Sequence, residues 1–203
     1  MPNWVYNSVR VTGSKEDLQR FAEQAAQPAQ FRDGEESLSQ LSFWNFIKPD
    51  ESILGEYWGE EPRKATLAEA LKHDTNFWYD WNIRNWGCKW DASNVSFEDW
   101  DGELAYDFDT PWGAPVEALD AMNAKFPQLV IHMRSVEEQG WGMEHIADED
   151  GVRLVKEWDI PDTHEEVMEH MGYCKCEEMR DDEMEWMYDD CPRKMTLVGA
   201  GKN

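Results

Sequence analysis

The chain has 203 residues, of which 41% are hydrophobic and 13% aromatic, and it carries a formal net charge of -24. This length fits one domain with insertions or one domain with an appendage, and the apolar fraction favours a folded domain over a disordered chain. Such an acidic surface repels nucleic-acid backbones and anionic membranes. We therefore expect the partner to be a basic protein, and we expect no direct contact with nucleic acid or with a membrane. The same charge is also typical of a surface that keeps a protein in solution.

Acidic residues are concentrated in the second half of the chain. Residues 1–92 contain fifteen acidic and ten basic side chains, whereas residues 93–203 contain twenty-eight and nine. No stretch approaches the roughly 18 to 20 apolar residues of a membrane helix, and the first residues lack the pattern of a signal peptide. We therefore expect a cytoplasmic protein whose four cysteines, few for this length, are reduced thiols.

The first predicted elements are a strand and a helix. Residues 4–12 alternate so that three valines and an asparagine share one face, which is the period of a half-buried strand. Ser14, followed three residues later by Asp17, is typical of a helix start. The apolar stripe of that helix runs to Ala25, and Pro28 ends it. A polar loop follows.

The middle of the first half is less regular. The apolar run at 38–47 predicts a second strand, which stops before Pro49. Residues 50–62 have no clean period and predict an irregular insertion or lid. The Ala- and Leu-rich segment 66–73 predicts a helix. Its expected inward residues are Leu67, Ala70 and Leu71.

Aromatic residues recur at helical spacing from Phe77 to Trp86 and predict a helix that ends at Gly87. Such a stripe is usually part of a core, although it also suits the lid of a pocket. Farther on, Asp101 and Gly102 separate two strand-like runs and predict a two-residue hairpin.

The remaining pattern completes a mixed fold. A helix is predicted from 116 to 126, a strand at 129–134, and a hairpin from 142–147 and 152–158. The predicted order is strand, helix, strand, then strand, helix, strand, with an extra hairpin. This order predicts a ferredoxin-like α+β fold, which is an antiparallel sheet with helices on one face. We expect this domain to span 1–158 with an aromatic helical insertion at about 48–92. Residues 159–203 are acidic and Met-rich and predict a helical appendage.

Several short pieces of sequence, taken in order, carry a family resemblance. They are MPNW with the Asn7 to Gly13 strand, WGCKWD at 86–91, FDTPWGAP at 108–115, and FPQL at 126–129 with Glu137 to Gly142. Together they resemble the YubB-like ferredoxin-fold family of conjugative plasmids and bacteriophages, over roughly residues 1–158. The resemblance implies a ferredoxin-like fold and a mobile-element origin. It implies no established activity, so no catalytic residue is carried over.

Candidate binding residues cluster between 86 and 112. Asp107 and Asp109 lie two apart on a strand and so share a face, which Asp91 reaches if its turn folds back. Such carboxylates are able to bind a divalent cation or share a proton. Lys89 beside Asp91 equally suits an ion pair that fixes the turn, and we favour that structural interpretation. The candidate binding residues are Trp86, Lys89, Trp90, Asp91, Asp107, Asp109 and Trp112.

The C-terminal segment carries two further candidate features. The possible zinc ligands in this segment are His164, His170, Cys174, Cys176 and Cys191. However, Cys-x-Cys is not the usual spacing of zinc ligands, so we favour a metal-free tail and expect no cofactor. The expected acidic surface consists of Glu177, Glu178, Asp181, Asp182, Glu183, Glu185, Asp189 and Asp190. The sequence has no phosphate-binding loop, dinucleotide fingerprint, HExxH or GxSxG motif, which weakens an enzymatic interpretation.

Three functions fit these observations. The first is an interaction protein of a mobile element that occupies a basic host protein, as a DNA mimic in counter-defence. The second is a small enzyme or ligand-binding domain with an aromatic cleft near Trp81 and Asp109. The third is a structural or virion component. We favour the first.

Overall fold

The structure is a computed structural model, which describes residues 3–30, 36–60, 66–72, 74–173 and 191. The strands are β1 (Trp4–Thr12), β2 (Ala29–Gln30), β3 (Glu36–Ser37), β4 (Ser93–Trp100), β5 (Glu103–Pro111), β6 (Val130–Glu137), β7 (Gly142–Asp148) and β8 (Gly151–Trp158). The helices are α1 (Lys15–Ala25), α2 (Leu54–Trp58), α3 (Leu67–Leu71), α4 (Trp78–Trp86), α5 (Val116–Lys125) and α6 (His164–Met171). Two 3₁₀ turns lie at Phe43–Asn45 and Glu51–Ile53. None of the described helices is long and apolar enough to cross a membrane.

The architecture is mixed α+β around a six-stranded antiparallel sheet. Its strand order is β4-β5-β1-β6-β7-β8, and β2 and β3 form a separate small sheet. The central strand β1 pairs with β5 on one side and with β6 on the other. A buried polar network ties these three strands together, because Asn7 donates to the Thr110 hydroxyl (2.9 Å) and accepts from the Ser135 hydroxyl (2.7 Å).

One face of the sheet, which we call the inner face, holds the core. The valines of β1 point into it, as the alternation of residues 4–12 predicts. Apolar side chains of α1 and α5, among them Phe21 and Leu119, pack against this face. The predicted helix start is confirmed, since the Ser14 hydroxyl accepts from the Asp17 amide. The predicted Asp101–Gly102 hairpin, the helix after Pro115, and strands β6, β7 and β8 are confirmed as well.

The opposite, outer face carries α6 at one end, and the other described helices leave it uncovered. Tyr6, Val136, Gly142 and Trp158 lie side by side across this face. The His170 ring of α6 stacks on the Trp158 ring at a centroid distance of 4.7 Å. Helices therefore lie on both faces of the sheet, with α1 and α5 inside and α6 outside.

The predicted strand at 38–47 is wrong. The segment is irregular and contains the 3₁₀ turn, and Leu41, Phe43 and Phe46 all enter the core. Its backbone donors find partners outside any sheet, because the Ser42 amide donates to the carbonyl of Ala25 (3.2 Å) and the Phe43 amide to the carboxylate of Asp91 (2.7 Å). The described residues between α1 and β4 add no strand to the main sheet, and β4 occupies the edge beside β5.

Two smaller expectations about the first half also fail. Segment 66–73 does form a helix, α3, but Leu67 and Leu71 point outward and are 77% and 74% exposed. A helix of five residues has too short an apolar stripe to be drawn onto the core. Segment 50–62, expected to be irregular, contains α2, whose Tyr57 is buried.

Candidate functional site

Two turns pack against each other at the end of the sheet, and this contact builds the first candidate site. The turn after α4 starts at Gly87, which has a φ of +81°, and the connection from β5 to α5 passes over it. A Cβ at Gly113 would collide with the carbonyl oxygen of Gly87, so the two backbones touch directly. The close approach carries Trp112 over the side chain of Lys89.

Four aromatic rings surround the Lys89 ammonium group, and we call this arrangement the aromatic box. The distances from Lys89 Nζ to the ring centroids are 4.3 Å for Trp112, 4.6 Å for Trp90, 5.9 Å for Tyr79 and 6.0 Å for Trp78. Each lies within the range of cation–π attraction, about 6 Å. Trp90 and Trp112 remain 40% and 47% exposed, so the box opens to solvent.

Trp112 adopts a backbone conformation that is unusual for a bulky residue. Its φ is +70°, in the left-handed region. The Trp112 amide donates to the carbonyl of Asn3 (2.9 Å), and the packing of Gly113 on Gly87 holds the chain on either side. The surrounding structure thus imposes a conformation that costs about 1–3 kcal/mol, and it positions one wall of the box.

Asp91 has a different role from either role the sequence predicts. Its Oδ2 accepts from the Ser42 hydroxyl (2.6 Å), and its Oδ1 accepts from the amides of Phe43 (2.7 Å) and Ala92 (2.8 Å). Burial raises the pKa of the Asp91 carboxyl above its ordinary value, and these hydrogen bonds offset only part of the rise. Within the described part of the chain no ion pair joins Asp91 to Lys89. Asp91 is thus a structural acceptor that fixes the irregular segment before α2.

Next to the aromatic box lies a second cavity, of about 480 Å³, whose lining includes Trp58, Trp78, Trp86, Trp90 and Asp91. Trp86 itself is a core residue, 2% exposed, and its indole donates to the carbonyl of Ile47 (3.2 Å).

Trp81 is buried as well and contacts the rings of Tyr57 and Trp86. Asp109 lines a cavity on the outer face instead. The aromatic cleft expected between Trp81 and Asp109 is therefore not formed, because the described residues place the two on opposite sides of the sheet.

The outer-face cavity has a volume of about 580 Å³ and lies between the open sheet and the end of α6. Residues on its lining include Tyr6, Ser8, Asp107, Asp109, Arg134 and His170. Asp107 and Asp109 share a face, as their spacing predicts. However, the Asp107 carboxylate lies 3.6 Å from the guanidinium of Arg10, and the Asp109 carboxylate accepts from the side-chain amide of Asn94 (2.8 Å). Asp91 lines the other cavity. The predicted group of three carboxylates is thus divided.

The polar groups of the outer-face cavity are unevenly satisfied. Arg134 donates to the carboxylate of Glu144 (3.2 Å) and to the carbonyl of His170 (2.5 Å). Among the described residues, none provides a hydrogen-bond partner for the buried Nδ1 of His170. Burial raises the pKa of the Tyr6 hydroxyl, and the neighbouring Tyr173, Glu138 and Asp109 add to the rise. Sequence reasoning missed Tyr6, Arg134 and His170 as neighbours, because their proximity depends on strand order and on the docking of α6.

The predicted zinc ligands and acidic tail are only partly described. Among the residues that the structure describes, no group of three His, Cys, Asp or Glu side chains is placed to hold a metal ion. Cys88 and Cys191 are both buried, and the His170 ring stacks on the Trp158 ring. Cys174, Cys176 and the predicted acidic residues Glu177, Glu178, Asp181, Asp182, Glu183, Glu185, Asp189 and Asp190 lie outside the described residues.

The described residues are themselves strongly acidic. They contain thirty-two acidic and eleven basic side chains, a net charge of -21. Several of these basic side chains already lie within ion-pair distance of a carboxylate. They are Arg10, Arg20, Arg84, Arg134, Arg153 and Lys156. Lys89 is enclosed by the aromatic box. The excess of negative charge is therefore a property of the described fold and does not depend on the C-terminal tail.

No family model matches the chain, and no curated protein matches it. A solved structure, that of the protein api92 from Yersinia pseudotuberculosis, described under the family name DUF1281, is similar with a TM-score of 0.47 and 11% identity. The match covers 79% of this chain and 99% of that chain. A likeness this weak carries no conclusion about fold or function.

Proposed function

We propose that this protein is an acidic interaction protein of a phage or plasmid, which binds a basic host protein in the cytoplasm. The partner is a protein that itself binds nucleic acid, so the carboxylates take the place of phosphates and the protein acts as a DNA mimic in counter-defence. The sequence resemblance to the YubB-like family supports the mobile-element origin. The positions of β4, β5, β1 and β6 in the sheet, with α1 and α5 on one face, support the ferredoxin-like fold that the resemblance implies.

The observation that carries the proposal is the charge of the described fold. The described residues include thirty-two acidic and eleven basic side chains, and most of the basic ones already contact a carboxylate or aromatic rings. Such a surface attracts a basic partner at long range and repels nucleic acid.

A specific contact point is the tip of the β4–β5 hairpin, which we call the acidic hairpin tip. Glu98, Asp99 and Asp101 are exposed there around Trp100, which is 51% exposed. Tryptophan is one of the residues that most often anchor protein interfaces, and a rim of carboxylates suits a basic partner. We place the centre of the interface on this tip.

The test begins with capture of partners from a bacterial lysate by the immobilised protein, followed by affinity measurements on the purified partner. Affinity is expected to fall as salt rises from about 50 to about 300 mM, because screening weakens attraction between exposed charges. Double-stranded DNA is expected to compete for the same partner. A partner that is not basic, or an affinity that salt does not change, would overturn the proposal.

A matched pair of variants locates the interface. In the first, Glu98→Gln, Asp99→Asn and Asp101→Asn neutralise the acidic hairpin tip. In the second, Glu149→Gln and Asp150→Asn in the β7–β8 turn, with Glu157→Gln on β8, remove the same charge from the opposite edge of the sheet. We expect the first to lose much more affinity than the second. Equal losses would mean that the charge acts without a localised interface.

A second candidate function is a small-molecule binding domain that uses the outer-face cavity. The observation that favours it is the buried Nδ1 of His170, on the wall of a cavity of about 580 Å³, for which the described part of the chain offers no hydrogen-bond partner. Such a cavity is of the size that holds a small ligand. A metabolite screen by ligand-observed NMR tests it, with Ser8→Trp as the variant that fills the cavity. Binding that survives Ser8→Trp, or no binding at all, excludes this use of the cavity.

A further inference from the structure

We propose that the aromatic box is a binding site for a quaternary ammonium group and that Lys89 occupies it as an internal substitute for that ligand. The inference concerns a site distinct from the acidic hairpin tip and does not depend on the proposed protein partner. Its ligand class is an alkylammonium cation without N–H donors.

Aromatic rings from distant parts of the chain converge on the Lys89 ammonium group. The rings come from three separate parts of the chain, namely α4 (Trp78 and Tyr79), the turn after it (Trp90) and the β5–α5 connection (Trp112). All four lie within 6.0 Å of one nitrogen atom. Aromatic faces carry negative potential, and groups of such faces are the usual means by which proteins recognise quaternary ammonium ligands.

The ammonium group of Lys89 lies against ring faces. None of the ion pairs and hydrogen bonds of the described residues involves its ammonium group, so aromatic rings provide its observed contacts. An ammonium group is strongly hydrated and has three N–H donors, which ring faces satisfy poorly. A quaternary ammonium group has no donors to satisfy, so the box suits it better than it suits Lys89.

The aromatic box is accessible from solvent. The two nearest rings, Trp90 and Trp112, are 40% and 47% exposed. Packing alone would not favour such exposure, because a large ring gains more free energy when it is fully covered. Trp112 also keeps a φ of +70°, a costly conformation of the kind found at ligand-binding positions. Lys89 has a flexible stem and is able to swing into solvent when a ligand enters.

Because Lys89 must leave the box before an external cation enters, Lys89 lowers the affinity of the wild-type protein for that cation. Lys89 is tethered next to the box and competes at high effective concentration, so the wild-type protein binds an external cation more weakly than the empty box does. Lys89→Met removes the charge and keeps an apolar stem. We expect this variant to bind tetramethylammonium about tenfold more tightly than wild type, which is the scale of a partly exposed cation–π contact.

The experiment follows the tryptophan indole N–H resonances by NMR during titration with tetramethylammonium chloride. Sodium chloride at equal concentration controls for ionic strength. Lys15→Met, an exposed lysine at the start of α1, controls for the loss of one positive charge. The expected result is tighter binding in Lys89→Met alone, with shifts of the Trp90 and Trp112 resonances, each assigned by Trp→Phe replacement.

A further variant and two ligands complete the test. Trp112→Leu in the Lys89→Met background is expected to abolish binding while a thermal unfolding scan shows that the variant remains folded, and Trp90→Leu takes its place if it does not. Titration with choline and with a peptide that contains trimethyllysine distinguishes a small molecule from a modified protein as the source of the cation. If Lys89→Met binds tetramethylammonium no more tightly than Lys15→Met, the box is a structural contact and the proposal is overturned.

Discussion

Replacement of Asp91 by alanine is expected to destabilise the fold strongly, because one carboxylate satisfies donors from two distant segments. The Ser42 hydroxyl and the amides of Phe43 and Ala92 all donate to it, at 2.6, 2.7 and 2.8 Å. A buried donor that loses its acceptor costs about 1–3 kcal/mol. Water that enters the vacated space recovers part of this cost, so we expect Asp91→Ala to lower the free energy of unfolding by about 3–5 kcal/mol.

Asp91→Asn separates geometry from charge. An asparagine keeps an oxygen at the position of Oδ1, which accepts from both backbone amides, and its amide group is able to donate to the Ser42 oxygen. We therefore expect a loss of only about 1 kcal/mol. Asp99→Ala, at an exposed position on β4, removes the same charge and is expected to change the free energy of unfolding by less than about 0.5 kcal/mol.

The assay is urea unfolding followed by far-ultraviolet circular dichroism, repeated over a range of pH. Because burial raises the pKa of the Asp91 carboxyl above 3.8, the folded protein holds this proton more tightly than the unfolded chain does. The stabilisation that comes from this tighter proton binding, as distinct from the three accepted hydrogen bonds, is therefore fully present below pH 3.8 and declines as pH rises through the raised pKa. Asp91→Asn lacks this pH dependence. Equal losses for the alanine and asparagine variants would refute the argument from acceptor geometry.

Three further outcomes are expected. Gly113→Ala forces a Cβ against the carbonyl oxygen of Gly87, so it should lower the free energy of unfolding by about 1–3 kcal/mol and shift the Trp112 indole resonance. Burial lowers the pKa of His145 below 6.5, so stability should fall as pH drops from 6.5 through the lowered pKa, and His145→Gln, followed by thermal unfolding, should not show this fall. Trp158→Leu removes the ring on which α6 stacks, so limited proteolysis should cleave α6 faster than in wild type while the sheet resists; an unchanged cleavage rate would contradict this role.

The sequence predicts elements well where a local pattern has one meaning. The alternation of residues 4–12, the Ser14 and Asp17 pair at the start of α1 and the Asp101–Gly102 turn each depend on neighbours a few positions away. The physical causes are the side-chain period of the strand, the capping of the helix and the left-handed φ of the turn. Each of them acts within the element itself. These elements accordingly appear in the structure where the sequence predicts them.

The failures arise where a distant residue decides the local structure. The run at 38–47 has the composition of a strand. However, the Phe43 amide donates to the carboxylate of Asp91, and the rings of Phe43 and Phe46 pack in the core. Leu67 and Leu71 have the spacing of a buried stripe, but no element covers them among the described residues.

The candidate sites show the same division. The sequence identifies Lys89, Trp90 and Trp112 as neighbours of one motif-rich stretch, and the structure places them together. The sequence does not indicate that Trp78 and Tyr79 complete the aromatic box, because that contact depends on how α4 packs against the β5–α5 connection.

The position of β1 at the centre of the sheet has a consequence for biosynthesis. Val9 pairs with Tyr106 and with Met133, so β1 has no partner strand until β5, the nearer of the two along the chain, has also left the ribosome. At a translation rate of about 5–20 residues per second this delay is on the order of ten seconds. The backbone N–H and C=O groups of β1 lack a partner strand throughout that interval, so the nascent chain is exposed to aggregation long before the sheet is able to close.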